Sequence, residues 1–187
     1  MRIIAGDAGG RKIEAPAGKH TRPTLDRVRE NMFNMIQYNI PGSRVLDLFA
    51  GSGALSLEAL SRGASFAVMS DIDRNACAVQ KRNIDLLKYQ ERTRQFCSDW
   101  YAVLQELQKE KEVFDLVFLD PPYSMLDLER VFTQLIPLIG PDSLVVLEHE
   151  SGKEPAVSDR FEAIKKRAWG FCAVSIYRLC AEGVATL

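Results

Sequence analysis

The sequence predicts an α/β fold: an open, doubly wound sheet of seven strands with a small β-hairpin extension at the N-terminus. Three observations predict it. From residue 44 onward, short apolar runs alternate with segments of helix length, a pattern that joins parallel strands through right-handed crossovers. Before residue 44 the pattern differs, with two short strand-like pieces around a glycine-rich turn. The length of 187 residues suits one large domain carrying a short arm and is enough to bury a sizeable core.

In chain order, Arg2-Ile3-Ile4 and Arg11-Lys12-Ile13 flank Gly6-Asp7-Ala8-Gly9-Gly10, which is strong turn chemistry. A polar loop with Pro16, Gly18 and Pro23 follows. Thr24 is placed to cap a helix whose Leu25, Val28, Met32, Phe33, Met35 and Ile36 form one apolar face, and Pro41-Gly42 ends this extension at residue 43. The domain beyond it, 44–187, opens with a strand over Arg44–Phe49, a glycine turn and a helix over Ala54–Ser61. The next strands are Phe66–Met69, a weak Arg94–Cys97 and a strong Phe114–Leu119; helices over Arg74–Leu87 and about Trp100–Lys109 separate them. A helix around Leu126–Ile136, a strand over Leu144–Glu148 and two tail strands near Ala163–Arg167 and Ala173–Leu179 complete the set. In such sheets ligands bind beyond the carboxyl ends of the strands, so the loops at 47–53, 71–73, 98–100 and 120–123 form one candidate site.

Composition excludes several classes. At 47% hydrophobic and 26% charged residues the chain is near the globular average, which argues against disorder, collagen-like repeats and a disulfide scaffold. A formal net charge of -1 excludes a simple basic coat protein, although a sum hides distribution. Cys77, Cys97, Cys172 and Cys180 are scattered, with no C-x-x-C pair and only His20 and His149 beside them. No metal is expected from that spacing, and buried free thiols in a reducing cytosol are. No signal-peptide core and no run of the ~18 apolar residues a membrane span needs is present, so a cytoplasmic protein is expected.

Four motifs carry chemistry. Asp47-Leu48-Phe49-Ala50-Gly51-Ser52-Gly53 places two glycines after a buried strand, where the backbone can turn sharply and a helix N-terminus can meet a ligand. A dinucleotide fingerprint would need a third glycine, where Ser56 stands. With Asp47 four residues before Gly51, the spacing resembles motif I of class I S-adenosylmethionine (SAM)-dependent methyltransferases. In those enzymes the loop surrounds the amino acid part of SAM and the acid organises it around the ammonium group. A plain β–α turn capped by Asp47 is the alternative.

Asp71-Ile72-Asp73 follows 20 residues after Gly51, and a carboxylate there can accept from both ribose hydroxyls, a logic shared by SAM and NAD sites. The ribose is assigned to Asp71; Asp73 reads equally as a helix N-cap. In Ser98-Asp99-Trp100, Asp99 is a candidate acceptor for the adenine amino group, though a helix cap explains it as well. The last motif is Phe118-Leu119-Asp120-Pro121-Pro122-Tyr123. Two prolines remove two donors and fix the chain direction. A carboxylate, exposed carbonyls and an aromatic plate remain, which suits a planar group bearing an exocyclic amino group. Asp120 and the Pro121 carbonyl can hold both amino hydrogens, and Tyr123 can stack on the base for about 1–3 kcal/mol. A rigid turn is the bland alternative; its coincidence with a SAM-like loop on the first strand argues against it.

D/N-P-P-Y after the fourth strand is similar to methyltransferases acting on exocyclic nitrogens of adenine, guanine or glutamine. With Arg2-Ile3-Ile4-Ala5-Gly6, Gly10-Arg11-Lys12, Thr21-Arg22-Pro23-Thr24, Asp26-Arg27-Val28-Arg29-Glu30, Phe33-Asn34, Val45 through Ala59 and Ser61-Arg62-Gly63-Ala64, the chain resembles the bacterial RsmD family from Arg2 to about Leu179. That resemblance implies a class I methyltransferase fold and transfer of a methyl group from SAM to the N2 of a guanine in 16S ribosomal RNA. It implies a SAM site at Asp47, Phe49, Gly51, Ser52, Gly53, Asp71, Ile72, Asp99 and Trp100, and a catalytic set of Asp120, Pro121, Pro122 and Tyr123. Asp71 departs from the Glu commoner in the family but keeps the carboxylate.

Charge distribution supports an RNA partner. Residues 1–44 hold eight basic and four acidic side chains, the rest 16 basic and 21 acidic. A basic arm ahead of an acidic sheet is what a phosphate-gripping extension looks like. Arg11 and Arg22, in turn or loop context, and Arg27 and Arg29 on the helix are the candidate RNA contacts. A monomer acting on 16S rRNA, in the 30S subunit or an assembly intermediate, is expected. Three readings compete: an adenine-N6 DNA or RNA methyltransferase with the same site, a protein-glutamine methyltransferase, and a non-enzymatic SAM- or NAD-binding module, which would not need Asp120 or Tyr123.

Overall fold

The computed structural model describes residues 1–15, 23–122, 127–153 and 155–180. Seven strands form one sheet: β1 (Arg44–Asp47), β2 (Phe66–Asp71), β3 (Thr93–Cys97), β4 (Phe114–Leu119), β5 (Ile139–Glu150), β6 (Phe161–Trp169) and β7 (Cys172–Leu179). Their order is β3-β2-β1-β4-β5-β7-β6. The helices are α1 (Pro23–Met35), α2 (Ala54–Ser61), α3 (Arg74–Leu87), α4 (Trp100–Lys109) and α5 (Leu128–Leu135). The expected doubly wound sheet is therefore present, with α2, α3, α4 and β4 at their predicted bounds.

The central strands are near-continuous apolar runs because helices cover both faces. Val45, Leu116, Phe118 and Val146 belong to one core cluster, with Phe33 of α1, Leu57 and Leu60 of α2 and Ile3 of the N-terminal arm. Leu46, Val117, Val145 and Leu147 belong to a second cluster on the other face, with Leu104 and Leu107 of α4 and Phe132 and Leu135 of α5. Alternate residues of each strand thus feed opposite layers. Asp73, Asp99 and Asp127 cap α3, α4 and α5 through side-chain oxygens that accept from Asn75, Tyr101 and Arg130 amides.

Several sequence expectations change. Pairing is parallel through β5, but β7 runs antiparallel between β5 and β6. Only Gly170 and Phe171 separate β6 from β7, too short a link for a parallel crossover. The strand-like pieces of the arm reduce to one antiparallel bridge, Arg2 to Lys12. Helix α1 starts at Pro23, so Thr24 lies within its first turn instead of before it; proline suits that first position because its missing donor would be unpaired there. β1 stops at Asp47, two residues short of Phe49, and β2 runs on to include Asp71. Of the four free thiols only Cys77 and Cys172 are buried; Cys97 is exposed. Among the described residues no helix is long and apolar enough to cross a membrane.

The arm is fastened by polar groups of α2. Glu58 is fully buried and accepts from the amides of Ile4 (2.7 Å) and Ala5 (3.1 Å) and from Arg62 Nε (2.7 Å). Ser61 Oγ accepts from the Ala8 amide at 3.0 Å and donates to the Ala5 carbonyl at 2.6 Å. Gly6 makes this approach possible: its φ is +86°, and a Cβ there would lie 1.8 Å from the Ser61 carbonyl oxygen. Gly6→Ala is expected to lift the arm and lower stability by about 2–5 kcal/mol, from overpacking plus the left-handed backbone. The urea midpoint checks it; an unchanged midpoint would show that the arm docks independently of Gly6.

Candidate active site

The carboxyl ends of β1, β2, β3 and β4 meet at one cavity of about 590 Å³, within the range of small-molecule sites. Phe49 and Gly51 line it from the loop after β1, Asp71 and Ile72 from the end of β2 and just past it, Asp99 and Trp100 from the turn after β3 and the start of α4, and Asp120, Pro121 and Pro122 from the turn after β4. Four loops, from Phe49 to Pro122 in sequence, therefore converge as the strand-end rule requires. Tyr123 and Arg22 lie outside the described residues.

Asp71 is the hub. Its Oδ2 accepts from the Gly51 amide and its Oδ1 from the Asp73 amide, both at 2.9 Å. Each oxygen keeps a further lone pair for a ligand. Gly51 has φ +55°, and a Cβ built on it would meet no atom within 4 Å, so its open side is cavity. Ile72 is 72% exposed although apolar, and it borders the same space. Asp73 and Asp99 both cap helices and line the cavity, so the two readings of each are compatible.

Asp47, Ser52 and Gly53 stand behind the loop instead of facing the cavity. Ser52 and Asp47 are buried, and an added Cβ at Gly53 would come within 3.0 Å of Met69 Sδ. Ser56 Oγ donates to Asp47 Oδ2 at 3.0 Å, while Oδ1 is buried without a well-formed hydrogen bond. Burial raises the Asp47 carboxyl from 3.8 to about 7, and the neighbouring Asp71 charge adds to this; the Ser56 hydrogen bonds oppose it. A buried acid with an unsatisfied oxygen under the loop fits a cationic group above it.

In the unfolded chain Asp47 ionises near 3.8 and in the folded chain near 7. The folded state binds the extra proton between these values, so stability falls as pH rises from 4 to 7. Asp47→Asn should remove that slope, which is worth up to about 4 kcal/mol at pH 8. Urea unfolding of both proteins at pH 5 and pH 8 checks it; parallel stabilities at the two pH values would contradict the assignment.

Two supporting residues escape sequence reasoning. Gln80 and Asn83 of α3 are fully buried and donate to the carbonyls of Gly51 and Ser52, both at 3.0 Å. Their only signal was two amides on the apolar face of a helix. Ser98, Leu48 and Ala76 also border the cavity. His149 is hydrogen-bonded to Ser175 Oγ at 2.9 Å and to the Glu150 carbonyl at 3.1 Å.

Among the RNA-contact candidates, Arg11 and Arg27 are exposed. Arg29 is not: it is 7% exposed, donates to the Arg2 carbonyl and pairs with Asp26 at 3.1 Å. Burial lowers its pKa, and the guanidinium pins α1 to the arm instead of facing solvent.

The strand order and the glycine loop opposite Asp71 define the fold class as that of the class I methyltransferases. The family model described as conserved hypothetical protein 95 matches residues 1–178, and the chain belongs to this family, the RsmD family. The chain is 36% identical to Bacillus subtilis YlbH, described as a candidate rRNA methyltransferase, over 95% of this chain and 98% of that one. It is 33% identical to the ribosomal RNA small subunit methyltransferase D of Escherichia coli K12, over 98% and 92%. The solved Escherichia coli structure of yhhF, described as a candidate methyltransferase, superposes with a TM-score of 0.83 at 34% identity, covering 96% of this chain and 97% of that one.

Proposed function

We propose that this chain transfers a methyl group from SAM to the exocyclic N2 amino group of a guanine in 16S rRNA, within the 30S subunit or an assembly intermediate. The observation that carries the reading is the convergence of Asp71 and the Gly51 turn with Asp120-Pro121-Pro122 on one cavity. A cradle for a nucleoside cofactor and an acceptor set for an amino group then share one space. Relatives named for rRNA methylation match along nearly the whole chain, which supports RNA as the substrate.

In this reading Asp71 accepts from the ribose hydroxyls while its other lone pairs hold the Gly51 and Asp73 amides. Ile72 covers one face of the adenine, Asp99 accepts from its amino group, and Trp100 closes the edge. Phe49, Gly51, Ser52 and Gly53 shape the turn around the amino acid part, and Asp47 beneath it balances the ammonium. When bound, SAM would supply an electrophilic methyl group whose bond to the sulfonium sulfur breaks as the bond to nitrogen forms, leaving S-adenosylhomocysteine and one amine proton to be released. Asp120 and the Pro121 carbonyl accept the two N–H bonds of the target amine and aim its lone pair along the line of displacement. Pro122 keeps competing donors away, and Tyr123 stacks on the base, which must leave its stack to enter. Arg11, Arg22 and Arg27 meet phosphates, so residues 1–43 act as the gripping arm and 44–187 as the catalytic unit.

The test is incubation with methyl-labelled SAM and either naked 16S rRNA or 30S particles from cells lacking the enzyme. Label is expected in the RNA fraction of at least one. Absence from both would overturn the reading.

A further inference from the structure

Edge strand β6 carries Lys165, Lys166 and Arg167 in succession. Register pairs Lys165 with Ile176 and Arg167 with Val174 of β7. Ile176 and Val174 belong to the core face packed by α1 and the arm, so Lys165 and Arg167 share that face. Lys165 Nζ also donates to the Met35 carbonyl at the end of α1, at 3.3 Å. Lys165 and Arg167 thus lie on the side of the sheet that bears the exposed Arg11 and Arg27, and Lys166 on the other.

The hairpin tip lies at the substrate end. Phe171 is 91% exposed, and its carbonyl accepts from the Ser151 amide at 2.9 Å, just past the carboxyl end of β5. Its neighbour Cys172 pairs in register with Glu150; burial pushes the Cys172 thiol up, and the Glu148 and Asp120 charges add to this. Trp169 packs against the core at the root of the tip. Lysines on an edge strand also deter strand addition. That explains charge along β6, but not a phenyl ring held in water beside the carboxyl end of β5.

We propose that the β6–β7 hairpin is a second RNA-contact surface, in which Lys165 and Arg167 meet phosphates and Phe171 stacks on a base flanking the target nucleotide. The RNA would then cross the heads of the strands between the arm and this hairpin. The proposal rests on the rRNA methyltransferase reading above.

Binding of naked 16S rRNA across a salt series tests it, with SAM affinity and thermal melting as controls for folding. Phe171→Ala should weaken binding roughly tenfold, the loss of one base stack, with the salt slope unchanged. Lys165→Gln with Arg167→Gln should lower that slope by about 1.4. Wild-type values in both variants would overturn the proposal while leaving the catalytic reading intact, provided the unaltered protein labels RNA. No labelling by the unaltered protein would remove both. A defect seen with 30S particles and not with naked RNA would assign the hairpin to a ribosomal protein and overturn the RNA contact.

Discussion

Replacing Asp120 by alanine should lower methyl transfer about a thousandfold, with SAM affinity left within about twofold of the wild type. The asymmetry comes from its position. Asp120 lies at the carboxyl end of β4, across the cavity from the Gly51 turn and from Asp71. In the proposed reaction the attacking nitrogen gains positive charge, and a carboxylate holding its hydrogens would stabilise that charge more than the neutral ground state. Loss of the carboxylate also frees the lone pair to misalign, and small misplacements of a reacting atom are costly. Single-turnover transfer at saturating SAM, paired with calorimetric SAM binding, separates the two quantities. Undiminished transfer would remove Asp120 from the chemistry; an equal loss of SAM affinity would make it a cofactor ligand instead.

Asp71→Ala should act in the opposite way, weakening SAM binding at least about a hundredfold, since two charge-assisted hydrogen bonds are lost together. The same change also frees the Gly51 and Asp73 amides, so the turn loses its anchor to β2. At SAM concentrations high enough to saturate the variant, much of the transfer rate should return, because Asp120 is untouched. Calorimetry gives the affinity and a SAM titration of the rate gives the recovery. An unchanged affinity would mean that the ribose is held elsewhere.

These residues were legible because their signals are local. An acid at the end of an apolar run, two glycines before a helix and a double proline after a strand are each visible within seven residues. Helices α2, α3 and α4 were equally legible, since turn residues and capping acids bracket their apolar faces. What was not legible depends on groups distant in the chain. The reversed direction of β7 follows from a two-residue hairpin whose partner, β5, is decided by the whole sheet. Arg29 looks like its neighbour Arg27 in sequence, yet the carbonyl of Arg2 draws it inward. Asp47 and Asp71 are the same residue type at two strand ends, and only packing makes one a buried acid near pH 7 and the other an open acceptor.

The charge balance needed the same correction. Of the eight basic residues before position 45, Arg29 is buried, and Arg44 pairs with Glu112 at the start of β1, the end of the sheet away from the cavity. The basic surface on the arm is narrower than its count of basic residues, while Lys165, Lys166 and Arg167 add positive charge on the β6 edge.

The group that enters the Asp120 site decides the reaction. The most direct measurement is nucleoside analysis of 16S rRNA labelled by this protein with methyl-labelled SAM, in 30S particles from cells lacking the enzyme. Label is expected in N2-methylguanosine, at one position, and none after Asp120→Ala. Label in N6-methyladenosine, or on a protein glutamine, would contradict the guanine-N2 reading.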